Sequence, residues 1–411
     1  MVGIKGKILG IANSRSELAA VLRAMEGVGG DRAERLLVAG DSATAAAVPE
    51  GVQVRVLGDY PLEGDVQRKA ILWLDDWSDE PLAEGLSFKE ELACGDVSLW
   101  WFFLPVIFPD VMRCMQYVEQ YRAVYAAEAP AAVVCADAEK RPMLPYRLNR
   151  AFDLPTRIAA MVARTRLLPV DVALGGWSYR RDFWRTYLAR SVVAAAYRTV
   201  GRHLEWASRL WTARMARAAR KSALRADPGS KKVAVFTTSA YWRRDGGARP
   251  DPGGEDVIVG RVVDRLVDAM GWQVVDIDTE VNIPSLDRLR RLWRKAQRGA
   301  VDCRSLESYC DRAVKSAATA GVCRLRQSWS RLRIARGFRD SLSYQDVPLW
   351  PLLAHRFDYL FAEYARIALL HLAAAERVLE VEKPDAIMIE YEEGSYGRAA
   401  TVAARRRGTP S

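Results

Sequence analysis

Two polar loops in the C-terminal half of the chain hold the residue types best suited to chemistry. Each loop follows a short apolar run, one ending at Phe236 and the other at Ile389. The candidate substrate-binding residues in the two loops are Thr237, Ser239, Tyr241, Arg243, Glu392, Glu393, Ser395, Tyr396 and Arg398. Of these, Arg398 can pair with a carboxylate or bind a phosphate. The concentration of polar groups predicts a substrate site built from both loops.

Glu390 is the candidate catalytic residue. It follows directly on the apolar run Ala386 to Ile389, so its carboxylate would project from a fixed strand end. A carboxylate in that position can act as a general base on an acceptor hydroxyl. Glu392 and Glu393 have a structural alternative, because acidic residues just before a helix are stabilised by the helix dipole without any catalytic role.

The elements around these loops predict a strand, a loop and a helix in both places. Pro384 ends one helix, and the run from Ala386 to Ile389 is typical of a strand buried in a parallel sheet. Ser395 can cap a second helix that reaches Arg407. Upstream, the run Val233 to Phe236 predicts the strand before the other loop. In doubly wound sheets, ligands bind beyond the carboxyl ends of the strands, where both loops fall.

The N-terminal half shows similar patterns. Short apolar runs bounded by turn residues predict strands at 7–12, 36–39, 52–57, 70–74 and 131–136. A long, aromatic-rich helical region is expected to open at Gly95, with Asp96 or Ser98 as its cap, and to reach Ala127. Pro105 and Pro109 predict interruptions in it.

Part of this pattern occurs twice. The sequence Asp-Val-x-Leu-Trp at 96–100 is repeated at 346–350. In both places an aromatic-rich helix leads through a proline to a buried strand, a polar turn and a second helix. The agreement predicts two copies of one α/β unit. The alternative is that any doubly wound sheet shows this order of elements.

The predicted fold class is α/β, with two tandem Rossmann-like parallel-sheet domains joined by a long basic helix. The first domain covers residues 1–176, the basic helical linker 177–230 and the second domain 231–411, with a wholly helical insertion at about 284–340. The second domain is expected to be incomplete at its C-terminal end, because another strand is due after Pro410.

The segment from Lys383 to Pro410 carries a resemblance to a known family. Its order of helix, Lys-Pro-Asp, strand, acidic turn, helix and Gly-Thr-Pro resembles the end of the N-terminal domain in GT-B-type glycosyltransferases of bacterial capsule and surface-carbohydrate synthesis. The similarity extends over about 180 residues. It implies transfer of a sugar from a nucleotide-sugar donor, bound by a further C-terminal domain, to a glycan or lipid-linked acceptor. Glu390 would be the base of an inverting transfer, and a fragment without the donor domain would be inactive alone.

Composition limits the other function classes. The six cysteines form no C-x-x-C pair and the chain has three histidines, so we expect no zinc site, no other metal and no cofactor. His355 and His371 fall inside predicted helices and are interpreted as packing residues. No apolar stretch approaches the length of a membrane span or signal peptide, which predicts a cytoplasmic protein.

The chain is basic, with 61 Lys and Arg against 51 Asp and Glu and a formal charge of +10. Arginines interleaved with aromatic residues are concentrated in the predicted helix at 177–225. They can be solvated residues of a linking helix, or they can dock on the acidic inner face of the plasma membrane. The alternative function is therefore a non-catalytic basic scaffold that binds an acidic membrane surface or nucleic acid, and of these nucleic acid is the less favoured partner.

Overall fold

The computed structural model describes residues 6–28, 34–82, 85–136, 154–173, 229–238, 242–243, 255–256, 258–279 and 301–411. The protein is α/β, and it divides into two compact units, each made from three chain segments. Unit 1 takes its described residues from Met1–Leu92, Val106–Ser191 and Ser328–Leu360, and unit 2 from Ala93–Pro105, Val192–Gln327 and Phe361–Ser411. The predicted domain boundaries at 176 and 230 stay predictions. Most of the predicted basic linker, residues 177–228, lies outside the described part of the chain.

Most of the predicted apolar runs form strands. In chain order they are β1 (Ile8–Ala12), β2 (Arg35–Ala39), β3 (Gln53–Val56), β4 (Ala93–Cys94), β5 (Val97–Ser98), β6 (Ala132–Ala136), β7 (Val170–Ala173), β8 (Lys232–Thr237), β9 (Trp242–Arg243), β10 (Glu255–Asp256), β11 (Gln273–Asp278), β12 (Asp302–Ser305), β13 (Ser343–Tyr344), β14 (Val347–Pro348) and β15 (Ala386–Ile389).

Twelve α-helices are found in the described residues. In chain order they are α1 (Arg15–Val28), α2 (Ser42–Ala45), α3 (Val66–Asp79), α4 (Phe88–Glu91), α5 (Trp100–Glu128), α6 (Leu154–Thr165), α7 (Gly260–Asp268), α8 (Arg312–Leu332), α9 (Arg336–Ser341), α10 (Trp350–Tyr359), α11 (Ala365–Glu382) and α12 (Ser395–Arg407). As predicted, α12 ends before Gly408, which has the left-handed backbone conformation that glycine adopts without strain.

Unit 1 contains a five-stranded parallel sheet in the order β3-β2-β1-β6-β7. Every residue of β1 and β6 is buried, because these central strands are covered by packed helices. Helix α1 packs on β1 and β6, and it buries Val21 and Met25 against Leu37 and Val134. Short apolar runs therefore formed the interior strands, as the sequence predicts.

Unit 2 contains a four-stranded parallel sheet in the order β12-β11-β8-β15. Helix α7 places Val263 and Leu266 against a core that includes Val233 and Val274. The strand order matches that of β3-β2-β1-β6 in unit 1. This shared order supports the predicted duplication, since it adds topology to the similarity of sequence.

A hydrogen-bonded ionic network that includes the lysine at the start of each central strand also supports the predicted duplication. In unit 1, Glu128 at the end of α5 accepts from the hydroxyl of Tyr60 over 2.7 Å and from Lys7 over 3.1 Å, and the guanidinium of Arg55 lies 3.4 Å away. Glu128 is buried, so these three donors compensate the loss of its hydration.

Unit 2 repeats the network with the same residue types. Glu382 at the end of α11 accepts from Tyr309 over 2.7 Å and from Lys232 over 2.7 Å, and it also pairs with Arg304. Each arginine begins an Arg-x-Leu-x-x-Tyr motif that supplies the tyrosine of its network. The sequence interpretation missed this second repeat, although the motif is visible in the sequence.

An aromatic cluster fills the side of unit 1 next to α3. Its rings lie 5.0 to 6.4 Å apart between centroids. The members are Trp77, Phe88, Trp329, Phe338, Trp350 and Phe357. The indole nitrogen of Trp77 also donates to the hydroxyl of Ser341 over 3.0 Å. This unit therefore takes its aromatic core from both halves of the sequence.

The run Ala70 to Leu74 is not the predicted strand, because it lies inside α3. The carboxylate of Asp65 caps this helix by accepting from the backbone N–H groups of Gln67 and Arg68, over 2.9 and 3.2 Å. Ala70, Leu74 and Trp77 are buried at helical spacing, so the apolar residues form one helix face.

The segment predicted as a wholly helical insertion also contains a strand, β12, at the edge of the unit 2 sheet. This strand was not predicted because its residues are mostly polar. Cys303 and Ser305 are buried, and Asp302 and Arg304, which alternate with them, form an ion pair. Helices α8 and α9 follow this strand as predicted.

Helix α5 is continuous through Pro105 and Pro109, and the predicted interruptions are wrong. Pro105 has no N–H to donate to the carbonyl oxygen of Trp101, four residues earlier. The guanidinium of Arg398 donates to that carbonyl instead. A side chain distant in sequence thus replaces the missing backbone hydrogen bond.

Candidate functional site

The carboxyl ends of β8 and β15 bring two of the predicted residues together in unit 2. Glu390 follows β15, and its backbone N–H donates to the carbonyl of Phe236 in β8 over 3.0 Å. The carboxylate of Glu390 accepts a hydrogen bond from the backbone N–H of Thr238. Glu390 is only 8% exposed, so this bond fixes a nearly buried carboxylate next to Thr237.

This position is where the strand order reverses. The chain leaves β8 and returns as β11 on one side of it, whereas β15 lies on the other side. In doubly wound sheets, ligands bind at the carboxyl edge beside such a point. The predicted base is therefore at the place that the fold favours for a ligand.

The side chain of Thr237 is directed to the adjacent strand β11. Its hydroxyl donates to the carboxylate of Asp276, and its carbonyl accepts from the N–H and hydroxyl of Thr279, over 3.0 and 2.7 Å. Thr237, Thr279 and Asp278 are all buried. Asp276 and Asp278 of β11 and Thr279, which follows it, were not among the predicted residues, although the end of a strand was a usable signal.

Ser395 contacts a histidine that was interpreted as a packing residue. The hydroxyl oxygen of Ser395 lies 2.8 Å from Nδ1 of His371 in α11, and both residues are buried. Burial lowers the pKa of His371 to about 4, so the imidazole is neutral at pH 7. The predicted capping role of Ser395 is wrong. Gly394 is the N-cap, and the hydroxyl of Ser395 serves the buried imidazole instead.

Tyr396 and Gly397 close the turn over the start of α12. The ring of Tyr396 lies 6.5 Å from the imidazole of His371 in an edge contact. A Cβ atom at Gly397 would lie 2.2 Å from the carbonyl oxygen of Tyr391 and 2.8 Å from Cα of Glu392. The turn can approach the helix this closely only because residue 397 has no side chain.

Glu392 and Glu393 lie at the surface of this turn. The hydroxyl of Tyr391 donates to the carboxylate of Glu393 over 2.8 Å. Both carboxylates precede the N-terminus of α12, where the helix dipole favours negative charge, so their structural interpretation remains as strong as their predicted binding role.

Arg398 packs on Trp101. Its guanidinium lies 4.8 Å from the centre of the indole ring and donates to the carbonyl oxygen of the same residue. Burial lowers the pKa of Arg398, because a partly dehydrated site disfavours the charged guanidinium. Arg398 therefore has a structural role, because it donates to the Trp101 carbonyl that Pro105 cannot reach with an N–H group. Its predicted role with a substrate stays a prediction.

The structure does not bring Ser239, Tyr241 or Arg243 into the described site. Ser239 and Tyr241 lie outside the described residues, and Arg243 ends β9, which pairs antiparallel with β10. Within the described ranges, no group of three or more His, Cys, Asp or Glu side chains is arranged to hold a metal ion. In the same part of the chain, no helix is long and apolar enough to cross a membrane.

No protein-family model matches the chain, and no curated protein shows significant similarity to it. The arrangement at the ends of β8 and β15 therefore carries the functional argument. That arrangement offers one fixed carboxylate as a proton acceptor.

Proposed function

We propose that this protein is a glycosyltransferase-like enzyme of bacterial surface-polysaccharide synthesis, and that unit 2 binds the acceptor at the carboxyl ends of β8 and β15. The proposal includes two tandem Rossmann-like domains of the GT-B kind. The observation that carries it is the carboxylate of Glu390, which the backbone N–H of Thr238 fixes at the point where the strand order reverses.

In this reaction Glu390 accepts the proton of an acceptor hydroxyl while the acceptor oxygen forms a bond to the anomeric carbon of the donor. The bond from that carbon to the phosphate oxygen breaks, and its electron pair leaves with the nucleoside diphosphate. The bond from Thr238 holds the carboxylate in one orientation, so little reorganisation is needed when the proton moves. A nucleotide sugar is the proposed donor and a glycan or lipid-linked glycan the proposed acceptor.

Calorimetry and transfer assays on the full chain test this function. UDP-glucose, UDP-N-acetylglucosamine and GDP-mannose are titrated at low and high salt, and transfer is followed to chitotetraose and cellotetraose. We expect salt-insensitive binding of at least one sugar and measurable transfer, which requires that this chain contains its own donor site, in place of the separate donor domain that the resemblance implies. Glu390→Gln should keep binding and lower the transfer rate by about 100-fold or more, because general-base catalysis is worth that much.

Glu380→Gln is the matched control, since Glu380 lies at the surface of α11 in the same unit but outside the candidate site. Its transfer rate should equal that of the unchanged protein. Absence of binding by every sugar tested, or equal transfer by Glu390→Gln and the unchanged protein, would contradict the proposal.

The charge of +10 favours a second candidate function, a non-catalytic scaffold that docks on an acidic membrane. Vesicles with phosphatidylserine should then bind the protein at low salt and release it at high salt, because exposed charges are screened. Neutral vesicles are the control, and duplex DNA tests the less favoured nucleic-acid partner. Binding that does not depend on vesicle charge would exclude this function.

A further inference from the structure

The two duplicated sheets differ in one row of residues at their carboxyl edges. This edge row takes one residue from each of the four equivalent strands. In unit 1, Ala12 of β1 pairs with Ala39 of β2, and Ala39 pairs with Val56 of β3. Ala136, the last residue of β6, completes the row on the other side of β1. The edge row of unit 1 is therefore wholly apolar.

The edge row of unit 2 is wholly polar. Thr237 of β8 pairs with Asp278 of β11, and Asp278 pairs with Ser305 of β12. Glu390 completes the row directly after β15. All four residues are buried, so contact with water does not account for their polarity. Unit 2 thus has two carboxyl groups and two hydroxyls at positions where the same fold in unit 1 has only apolar side chains.

The hydroxyl of Ser305 makes no hydrogen bond within the described part of the chain, although Ser305 is only 1% exposed. Ser305 precedes the 3₁₀ turn Leu306–Tyr309, and its side chain does not cap that turn. In the Arg-x-Leu-x-x-Tyr motif, Val56 stands at the same position in unit 1. A buried hydroxyl without a partner costs stability, and Val56 shows that the fold accepts an apolar side chain here. Folding alone therefore does not explain the serine.

Ser305 lies on the same face of the sheet as the hydroxyl of Thr237. That hydroxyl donates to the carboxylate of Asp276, which shares its face of β11 with Asp278, because side chains two residues apart in a strand point the same way. Ser305 is paired with Asp278 and so shares this face as well. The described hydrogen bonds already hold Thr237 and Glu390, whereas the hydroxyl of Ser305 is available to a ligand.

The edge row of unit 2 is long and has no basic member. Adjacent strands lie about 4.8 Å apart, so three spacings separate Glu390 from Ser305 by roughly 14 Å. Because none of the four side chains is basic, the row itself offers no ion pair to a phosphate. Hydroxyl and carboxyl groups instead form hydrogen bonds with sugar hydroxyls. One hexose is shorter than the row, whereas a linear oligosaccharide covers it and presents hydroxyls along its whole length.

We propose that Ser305 is a substrate-binding residue, and that a linear oligosaccharide lies along the edge row of unit 2 with a distal sugar hydroxyl bonded to Ser305. A serine hydroxyl both donates and accepts, as a sugar hydroxyl does, so the two groups can pair in either direction. A site built to bond a substrate hydroxyl discriminates against ligands that do not reach it. The inference rests on the proposed function only in placing the reacting end of the oligosaccharide at Glu390.

Calorimetric titration of the full chain, without any nucleotide sugar, tests the predicted length of the ligand. The probes are cellotetraose, chitotetraose and maltotetraose, each compared with its own monosaccharide and disaccharide. We expect at least one tetrasaccharide to bind about tenfold or more tightly than its disaccharide. The diamine cadaverine controls for attraction to the carboxyl groups alone. Absence of any dependence on length, or tighter binding of cadaverine than of every tetrasaccharide, would overturn the proposal.

Two variants locate the distal contact. Ser305→Ala and Ser305→Val should each weaken tetrasaccharide binding about three- to tenfold, the effect expected for one lost hydrogen bond, and leave disaccharide binding unchanged. Neither should lower the urea midpoint, because the hydroxyl has no hydrogen bond to lose among the described residues. Val56→Ser is the reciprocal control in unit 1 and should not change sugar binding. Unchanged tetrasaccharide affinity in a folded Ser305→Ala protein would overturn the proposal.

The outcomes for Ser305 are separable from those for the proposed function. Length-dependent binding that Ser305→Ala removes, without any sugar transfer, would support the oligosaccharide site and contradict the enzyme. Sugar transfer with the same acceptor KM in Ser305→Ala and in the unchanged protein would support the enzyme and contradict the role of Ser305.

Discussion

The hydroxyl of Tyr309 donates to the carboxylate of Glu382 over 2.7 Å, and the hydroxyl of Tyr60 makes the same contact with Glu128 over the same distance. Each pair joins the turn after an edge strand to the end of the helix before another strand. A lysine from the start of the central strand completes the arrangement in both units. Such agreement in residue type, position and geometry is the strongest structural support for an ancestral duplication.

Tyr309→Phe should destabilise unit 2, because it removes one donor from a buried carboxylate. We expect a loss of about 1–3 kcal/mol in the free energy of unfolding, measured by urea denaturation. Tyr60→Phe is the matched change in unit 1 and should lose a similar amount. If both variants unfold at the same urea concentration as the unchanged protein, the two tyrosine hydrogen bonds do not contribute to stability.

His371→Asn should reduce the loss of stability in mild acid. The folded pKa of His371 is lowered from 6.5 to about 4 by burial, so the unfolded chain binds the proton more readily. Stability is then complete above pH 6.5 and declines as the pH falls toward 4. The asparagine cannot titrate, so its urea midpoint should change less over this interval. An unchanged pH profile would contradict the burial of a neutral imidazole.

Protonation of Glu382 should cause a second loss of stability, at a more acidic pH than that of His371. Burial acts to raise the pKa of Glu382, but hydrogen bonds from Lys232 and Tyr309 and the charge of Arg304 outweigh it, so the pKa is lowered from 4.5. A lowered carboxylate pKa gives stability that is present above pH 4.5 and lost as the pH falls through the folded pKa. Glu382→Gln should therefore have a flatter urea midpoint below pH 4.5 and a lower stability at pH 7.

Gly397→Ala should disrupt the turn that carries Glu390. The added Cβ would meet the backbone of Tyr391 and Glu392, which cannot move without displacing the turn. We expect a destabilisation of about 1–3 kcal/mol, measured by thermal unfolding. Gly27→Ala is the control, because nothing lies within 4 Å of its Cβ position in α1. That change should stabilise the protein by about 0.5–1 kcal/mol. A neutral Gly397→Ala would show that the turn adapts.

Arg398→Met should destabilise unit 2 by about 1–3 kcal/mol, because the carbonyl of Trp101 loses its donor. Pro105→Ala restores a backbone N–H that can bond to that carbonyl. In the Pro105→Ala background, the same Arg398→Met change should therefore cost less, and a double-mutant cycle of urea unfolding measures the difference. Equal costs in both backgrounds would mean that Arg398 acts through its ring contact alone.

Much of the sheet architecture could be predicted, because buried parallel strands require short apolar runs. The limits of β15 and α12 agree with the sequence prediction, and so does the placement of Glu390 directly after a buried strand. The predictions were wrong where tertiary contacts, and not local sequence, determine the secondary structure. The run at 70–74 is an amphipathic helix face, and β12 has too few apolar residues to be seen as a strand.

The site was predicted less completely, because its contacts join residues far apart in the chain. Ser395 reaches His371 across 24 positions, and Arg398 reaches Trp101 across 297. Neither partner follows from local spacing. The β11 residues around Thr237 could have been found by considering every strand end of the predicted sheet.

The origin of the aromatic cluster bears on how the protein can be made. Trp77 and Phe88 come early in the chain, whereas Phe338 and Phe357 emerge from the ribosome some 250 residues later. An N-terminal product that stops at residue 230 would expose two large rings with no partners from the later segment. Unit 1 therefore reaches its native core only after most of unit 2 has been synthesised, which makes co-expression of separated halves a poorer strategy than expression of the intact chain.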